Sequence, residues 1–219
     1  MCGRFNMSNN AINELKMKAK EYNAEIIPDH TFIAGEIFPM QNVLILYYNG
    51  KNLELNVAVW GVDSPFAKGN IINARSETVA IKPYFASDFR NYRCVVACDC
   101  YYEWSKEKNK YAFSSSDDSV IFLAGFCKPS KNYNNLNSFD CKKVIENRFI
   151  ILTKQASQKM LDIHDREPCE IEKHSIYDYL TKDINSKEAA QNIKKLLSTD
   201  YVKLQKQEII NEKYTQLKF

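Results

Sequence analysis

An apolar run, Val43-Leu44-Ile45-Leu46-Tyr47, reaches an Asn49-Gly50 pair and is followed by a stretch, Leu53 to Trp60, that alternates apolar and polar residues. Asn-Gly accepts the positive φ angles that a two-stranded turn demands, and alternation with period two is how a half-buried strand reads. This stretch of the chain is therefore committed to an antiparallel hairpin. A lone hairpin is barely stable in water, so it must find further strands or a helix to cover it.

Those partners are present. Strands are expected at Cys94 to Ala97, Tyr111 to Ser114, Val120 to Phe126 and Phe149 to Leu152. Ser8 can cap a helix over Asn9 to Tyr22, with Ile12, Leu15 and Ala19 on one face. A helical start is possible from Ser76, and helices are expected over Ser175 to Leu180 and, capped by Ser186, over Lys187 to Leu197. Polar connectors run from Lys106 to Lys110 and from Ser130 to Arg148. There is no internal repeat and no Pro- or Gly-rich linker. The order of elements predicts a single α+β domain over residues 1–219, with a bent, barrel-like, mainly antiparallel β-sheet flanked by helices. A hydrophobic share of 45% is enough for its core.

Nothing near Met1-Cys2-Gly3-Arg4 reads as a signal peptide, and no run approaches the roughly 18 apolar residues of a membrane span. A reducing cytoplasm is the expected compartment. Seven cysteines, an odd number in a long chain, do not suggest a disulfide framework. Cys94, Cys98 and Cys100 lie around the apolar Val95-Val96-Ala97 with no C-x-x-C pair, which favours buried thiols over zinc. No metal and no cofactor are expected.

A net charge of +3 is too small to announce a nucleic-acid binder. The choice of cation says more, because only six of thirty basic residues are Arg. Arg grips phosphate with a planar fork that Lys lacks. Four of the six, Arg4, Arg75, Arg93 and Arg166, fall beside residues with chemical potential. Structural ion pairing is the plain alternative for each.

Cys2 is the first such residue. Trimming Met1 would leave an α-amine with a pKa of about 7.7–8.0 beside a thiol of about 8.5. An amine and a thiol two carbons apart suit an aldehyde: the amine forms a Schiff base and the thiol closes a five-membered thiazolidine. Alternatively Cys2 is merely a small buried residue. Asn73, in Ile71 to Thr78, can donate and accept, or can simply mark a turn. Glu103 follows an apolar strand beside Trp104; a carboxyl against an aromatic wall tends to have a raised pKa and to move protons. It can equally be an exposed strand end. His164 is bracketed by Asp162, Asp165 and Arg166, which suits proton transfer near neutrality or a loop satisfied by its neighbours. Trp60 offers a face for base stacking, against the default of a core Trp.

Taken together, Met1-Cys2-Gly3-Arg4-Phe5, Trp60-Gly61, Asn73-Ala74-Arg75-Ser76-Glu77-Thr78, Tyr102-Glu103-Trp104 and Ile163-His164-Asp165-Arg166-Glu167-Pro168 closely resemble the SRAP family. These are the SOS response-associated peptidase, or abasic site processing, proteins. The resemblance covers roughly residues 1–180. It implies covalent capture of abasic sites in single-stranded DNA, Cys2 attacking the ring-opened aldehyde to finish as a thiazolidine. His164 would assist sugar opening, Glu103 would shuttle protons, and Asn73 would hold the amine or the sugar. Arg4, Arg75 and Arg166 would contact phosphates, with Arg93 a further candidate, and Trp60 would stack on a base. The family is also credited with autocatalytic peptidase activity and with strand cleavage by β-elimination.

On that reading the protein is a monomer that associates with the nucleoid when bound to DNA. Two other readings fit the same residues: a noncovalent single-stranded DNA-binding module, and a thiol peptidase using Cys2 with His164 as base. The chain departs from the family pattern at Phe32-Ile33-Ala34-Gly35-Glu36, at the short Val62-Asp63-Ser64-Pro65-Phe66 stretch and at Cys98-Asp99-Cys100. These changes bear on the DNA-facing wall and its base preference rather than on the Cys2 chemistry.

Overall fold

The computed structural model describes residues 2–27, 31–66, 68–128, 147–185, 187–200 and 203–209. Strand β1 (Phe5–Met7) leads into helix α1 (Asn9–Glu21), then β2 (Glu25–Ile26), β3 (Gly35–Ile37), β4 (Asn42–Tyr48) and β5 (Leu53–Trp60). After these come β6 (Val62–Asp63), β7 (Asn70–Ile71), β8 (Asn73–Arg75), helix α2 (Pro83–Asn91), β9 (Arg93–Cys98), β10 (Cys100–Trp104) and β11 (Lys110–Ser115). The remainder is β12 (Ile121–Lys128), β13 (Arg148–Gln155), β14 (Arg166–Pro168), β15 (Glu170–Ile171), helices α3 (Ile176–Thr181) and α4 (Lys187–Ser198), and β16 (Leu204–Ile209).

The expected hairpin is β4–β5, paired from Asn42↔Val59 to Tyr48↔Leu53. Its strands belong to a sheet that closes on itself. β13 pairs antiparallel with β12 and parallel with β5, so β13, β12, β9, β4 and β5 form a ring. A second sheet has the order β16-β11-β10-β1-β3 and joins the first where β9 turns into β10. This is the expected α+β fold with a barrel-like, mainly antiparallel sheet. Closure removes exposed strand edges; one face of the sheet carries Phe126 against Phe85 and Phe89 of α2, and the opposite face carries Phe149 against Trp60.

Helix α1 has the anticipated cap and face: Ser8 accepts from Asn10 and Ala11, and Ala11, Ile12, Leu15 and Ala19 are buried. Asp99 holds the cap from the neighbouring sheet, accepting from the Ser8 N–H and Oγ at 2.7 Å each. Other expectations shift. No helix starts at Ser76; residues 76–82 form successive turns and α2 begins at Pro83, whose fixed φ suits a first helical position. The helix expected at Ser175 is α3, entered through a short 3₁₀ turn at Lys173–Ser175. Ser186 and most of the Ser130 to Arg148 connector lie outside the described residues. β16 shows no apolar alternation because Gln205 to Glu208 are exposed, and only pairing with β11 defines it. Among the described residues no helix is long and apolar enough to cross a membrane, and no group of side chains is placed to hold a metal.

Arg93 requires a correction. It is 1% exposed and sits at the start of β9 beneath the ends of two helices. Its guanidinium donates to the carbonyls of Phe89 (3.2 Å) and Arg90 (2.7 Å) at the end of α2, and to those of Tyr179, Leu180 and Lys182 around the end of α3. Helix ends leave carbonyls without intrahelical partners, and Arg carries five donors on one plane. Arg93 therefore ties α2 and α3 to the ring and is closed to DNA.

Candidate active site

The N-terminus is placed by strand pairing. Phe5 lies opposite Tyr101 and Asn6 opposite Cys100, and the Tyr102 N–H donates to the Arg4 carbonyl at 2.8 Å. Running antiparallel to β10, the chain carries Cys2 toward the Glu103–Trp104 end of that strand. Alternation along β10 buries Tyr101 and Glu103 and turns Cys100, Tyr102 and Trp104 outward.

A second element reaches Cys2 from the other sheet. β8 lies parallel to β13, with Asn73 opposite Ile151, and the Asn73 Nδ2 donates to the Cys2 carbonyl at 2.7 Å. The Asn73 Oδ1 is buried and has no hydrogen-bond partner among the described residues. An unmatched buried acceptor costs free energy, so its retention points to a donor that arrives with a ligand or with a free amine.

Trp60 acts on this strand from inside, which corrects its assignment as a base-stacking face. It is 0% exposed, packs on Phe5 and Phe149 with ring centroids 5.0 and 6.4 Å away, and donates its Nε1–H to the Ile72 carbonyl at 3.1 Å. It thereby fixes the residue before Asn73. Gly61, at φ +112°, turns the chain just beyond, where a Cβ would stand 3.1 Å from Ile72.

Glu103 is 3% exposed. Burial raises its pKa, and among its neighbours the Asp165 charge adds to the rise. The Cys2 thiol is pushed far above its ordinary range by burial first and by the Glu103 charge second. Its Sγ has the Arg4 carbonyl as partner at 3.9 Å, not an imidazole nitrogen. This is a protonated thiol, unlike the ion pair of a Cys–His peptidase.

The His164 loop arrives from between β13 and β14, and its Asp165 charge is felt at Glu103. Burial lowers the His164 pKa. The ring's Nδ1 accepts the Arg166 N–H at 3.0 Å and also lies 2.8 Å from Asp165 Oδ1. Neutral His164 with Nδ1 accepting carries its proton on Nε2; a proton on Nδ1 would be received by Asp165. The two neighbours thus favour opposite protonation patterns.

The arginines divide. Arg75 is exposed and has no ion-pair partner among the described residues. Arg4 is shared: Nη1 lies 3.2 Å from Glu36 Oε1, and the guanidinium stacks 4.0 Å from the Phe38 ring centroid and 4.9 Å from that of Trp104. Beside it opens a cleft of about 490 Å³ lined by Arg4, Glu36, Trp104, Lys108, Lys110 and Glu208. The Arg166 guanidinium, assigned to phosphate from the sequence, is occupied by Glu77 at 2.7 and 2.9 Å. An exposed aromatic named only within the short stretch of residues 62–66 had not been proposed as a contact. Phe66, 74% exposed between β6 and β7, touches the protein through Tyr84, with centroids 5.3 Å apart. Its place after Pro65, in a turn leading to Asn73, was the available signal.

Comparison with known proteins gives the family and the fold. The chain is 29% identical over 196 residues to the abasic site processing protein YedK of Escherichia coli (strain K12), covering 87% of this chain and 84% of that protein. It is 28% identical over 180 residues to the abasic site processing protein YoaM of Bacillus subtilis (strain 168), covering 77% and 74%. A crystal structure of a Bacteroides thetaiotaomicron protein superposes with a TM-score of 0.69 at 20% identity, covering 96% of this chain and 93% of the other, which shows the shared fold. Residues 1–211 match the SOS response associated peptidase (SRAP) family, and the chain belongs to it.

Proposed function

We propose that this protein processes abasic sites in single-stranded DNA by covalent capture at Cys2. The observation that carries the proposal is the meeting at Cys2 of a buried, protonatable Glu103 and an Asn73 with one carbonyl lone pair unmatched. Its relatives are named for abasic site processing.

With Met1 removed, the Cys2 amine adds to the C1′ aldehyde of the opened sugar to give a carbinolamine. Glu103 donates the proton with which the hydroxyl leaves as water, and the imine forms. The Cys2 sulfur then bonds to the imine carbon while its proton passes to nitrogen, closing the thiazolidine with loss of one water overall. A protonated thiol suits this order because the amine reacts first. Asn73 Oδ1 is available to an amine N–H or a sugar hydroxyl. The Nε2–H of neutral His164 can donate to the ring oxygen as the sugar opens.

The DNA path is assigned to Arg75, to the Arg4–Trp104 cleft and to Phe66 as the stacking residue. Phe66→Ala should weaken binding of an undamaged single-stranded oligonucleotide by about 1–3 kcal/mol, the worth of one stacked base. Arg75→Ala should reduce the slope of log K against log salt by about 0.7, one phosphate on a single strand. Fluorescence anisotropy at several salt concentrations measures both.

Protein confirmed by intact mass to begin at Cys2 should give a denaturant-resistant, slow-migrating band with an oligonucleotide carrying one abasic site. The band should vanish in Cys2→Ala and with undamaged DNA. Its absence from wild-type protein of the right mass would falsify the proposal.

A further inference from the structure

We infer that Glu77 and Arg166 form a clamp that positions His164 and fixes which ring nitrogen carries its proton. This rests on the proposed capture reaction for its consequence in rate, and on the fold alone for its geometry.

Arg166 works at both ends. Its guanidinium makes a two-pronged contact with Glu77, Nη1 to Oε1 at 2.7 Å and Nη2 to Oε2 at 2.9 Å. Nη2 also donates to the Thr153 carbonyl at 2.6 Å, the same oxygen that accepts the Ser76 N–H at 2.9 Å. The fork therefore crosses the end of β13, from β14 on one side to the segment following β8 on the other. Its backbone N–H meanwhile donates to His164 Nδ1 at 3.0 Å. One residue thus connects the strand that presents Asn73 to the imidazole.

The base of the His164 loop is fixed from the opposite side as well. The Ser157 Oγ donates to Glu167 Oε2 at 2.8 Å, and Lys154 Nζ lies 3.5 Å from Glu167 Oε1. The Ala156 N–H donates to the Asp165 carbonyl at 3.0 Å, closing the loop. Glu167 thus anchors the β14 backbone, and Glu77 sets the direction of the Arg166 side chain above it. A bidentate Arg–carboxylate pair is stiff in angle as well as distance, which is the property a positioning contact needs. Nδ1 faces both the Arg166 N–H at 3.0 Å and Asp165 Oδ1 at 2.8 Å, and holding Arg166 in place weights that choice toward an accepting Nδ1 and a proton on Nε2. Glu77 is itself exposed, so its replacement leaves the core untouched.

The test is Glu77→Gln, compared with the wild type and with the charge exchange Glu77→Arg/Arg166→Glu. Three quantities are read: the single-turnover capture rate at saturating abasic-site DNA, the affinity for undamaged single strands, and the ¹⁵N imidazole shifts of His164. The clamp predicts a capture rate ten- to a hundredfold lower in Glu77→Gln and an affinity within twofold. It also predicts loss of the single Nε2–H tautomer, with rate and tautomer recovered in large part by the exchange. If Arg166 instead serves DNA, freeing it from Glu77 leaves the tautomer and rate unchanged while affinity rises, and the clamp is overturned. Should the wild type fail to capture any abasic site, the proposed reaction falls. The tautomer measurement still decides the clamp in that case: a shift in Glu77→Gln upholds it and no shift overturns it.

Discussion

Glu103→Gln is expected to slow covalent capture by about 10²–10⁴, the usual loss when a positioned acid–base group is removed. Gln fills the same space and keeps a hydrogen-bonding head, so binding of undamaged DNA should hold within a few-fold. The same substitution should stabilise the fold at neutral pH. Burial raises the Glu103 pKa, so the folded protein holds this proton more tightly than the unfolded chain does. Below the unfolded value of about 4.3 both states carry the proton and there is no difference. As pH rises from there through the raised folded value, ionisation penalises the folded state, and above that value the penalty is complete. Melting curves should therefore show Glu103→Gln above wild type at pH 7 and level with it in acid. A variant that captures at wild-type speed would remove Glu103 from the reaction. Equal melting at both pH values would mean that its carboxylate is well solvated in the folded protein.

Arg93→Met should cost about 3–5 kcal/mol of stability, the loss found when one partner of a buried charged contact is deleted. For a chain of this size that corresponds to a fall in melting temperature of roughly 6–20 °C. Five carbonyls lose their donor, and the ends of α2 and α3 lose their common anchor. Arg93→Lys should recover little of this, since one ammonium cannot reach both helix ends. Capture by the folded fraction, measured well below the melting temperature, should stay within twofold of wild type. A variant with unaltered melting but weakened DNA affinity would reverse the assignment and return Arg93 to the binding surface.

The misreading of Arg93 shows what local sequence carries and what it withholds. The traits that let Arg grip phosphate, a flat fork of five donors, also let it gather helix-end carbonyls. Arg166, read as a phosphate contact from the same traits, is paired with Glu77 in this structure. Nothing in either neighbourhood states which way the side chain faces. Trp60 presented the same ambiguity, since a ring that can stack on a base also fills a core. The β4–β5 hairpin, by contrast, was legible because Asn49-Gly50 and the period-two alternation are local. Ring closure by β13 against β5 joins residues about ninety apart in sequence and left no local mark. β16 left none either, its outward face being wholly polar. The helix expected at Ser76 begins at Pro83 instead, where no side-chain cap announces it. The meeting of Cys2, Asn73 and Glu103 was legible only as a set of motifs. Their convergence depends on two different sheets placing a strand end at the same point.

The position of β1 has a mechanical consequence. It lies between β10 and β3, and Cys2, three residues before its N-terminal end, is bonded to Asn73. A DNA strand joined to Cys2 and drawn outward along β1 would load its ladder in shear, all hydrogen bonds at once, rather than peel them one by one. The Asn6 and Ser8 contacts with Asp99 share that load, transmitting it to the turn between β9 and β10. On the proposed capture reaction, an attachment point braced by this ladder would resist tension along β1 better than a nucleophile carried on a loop.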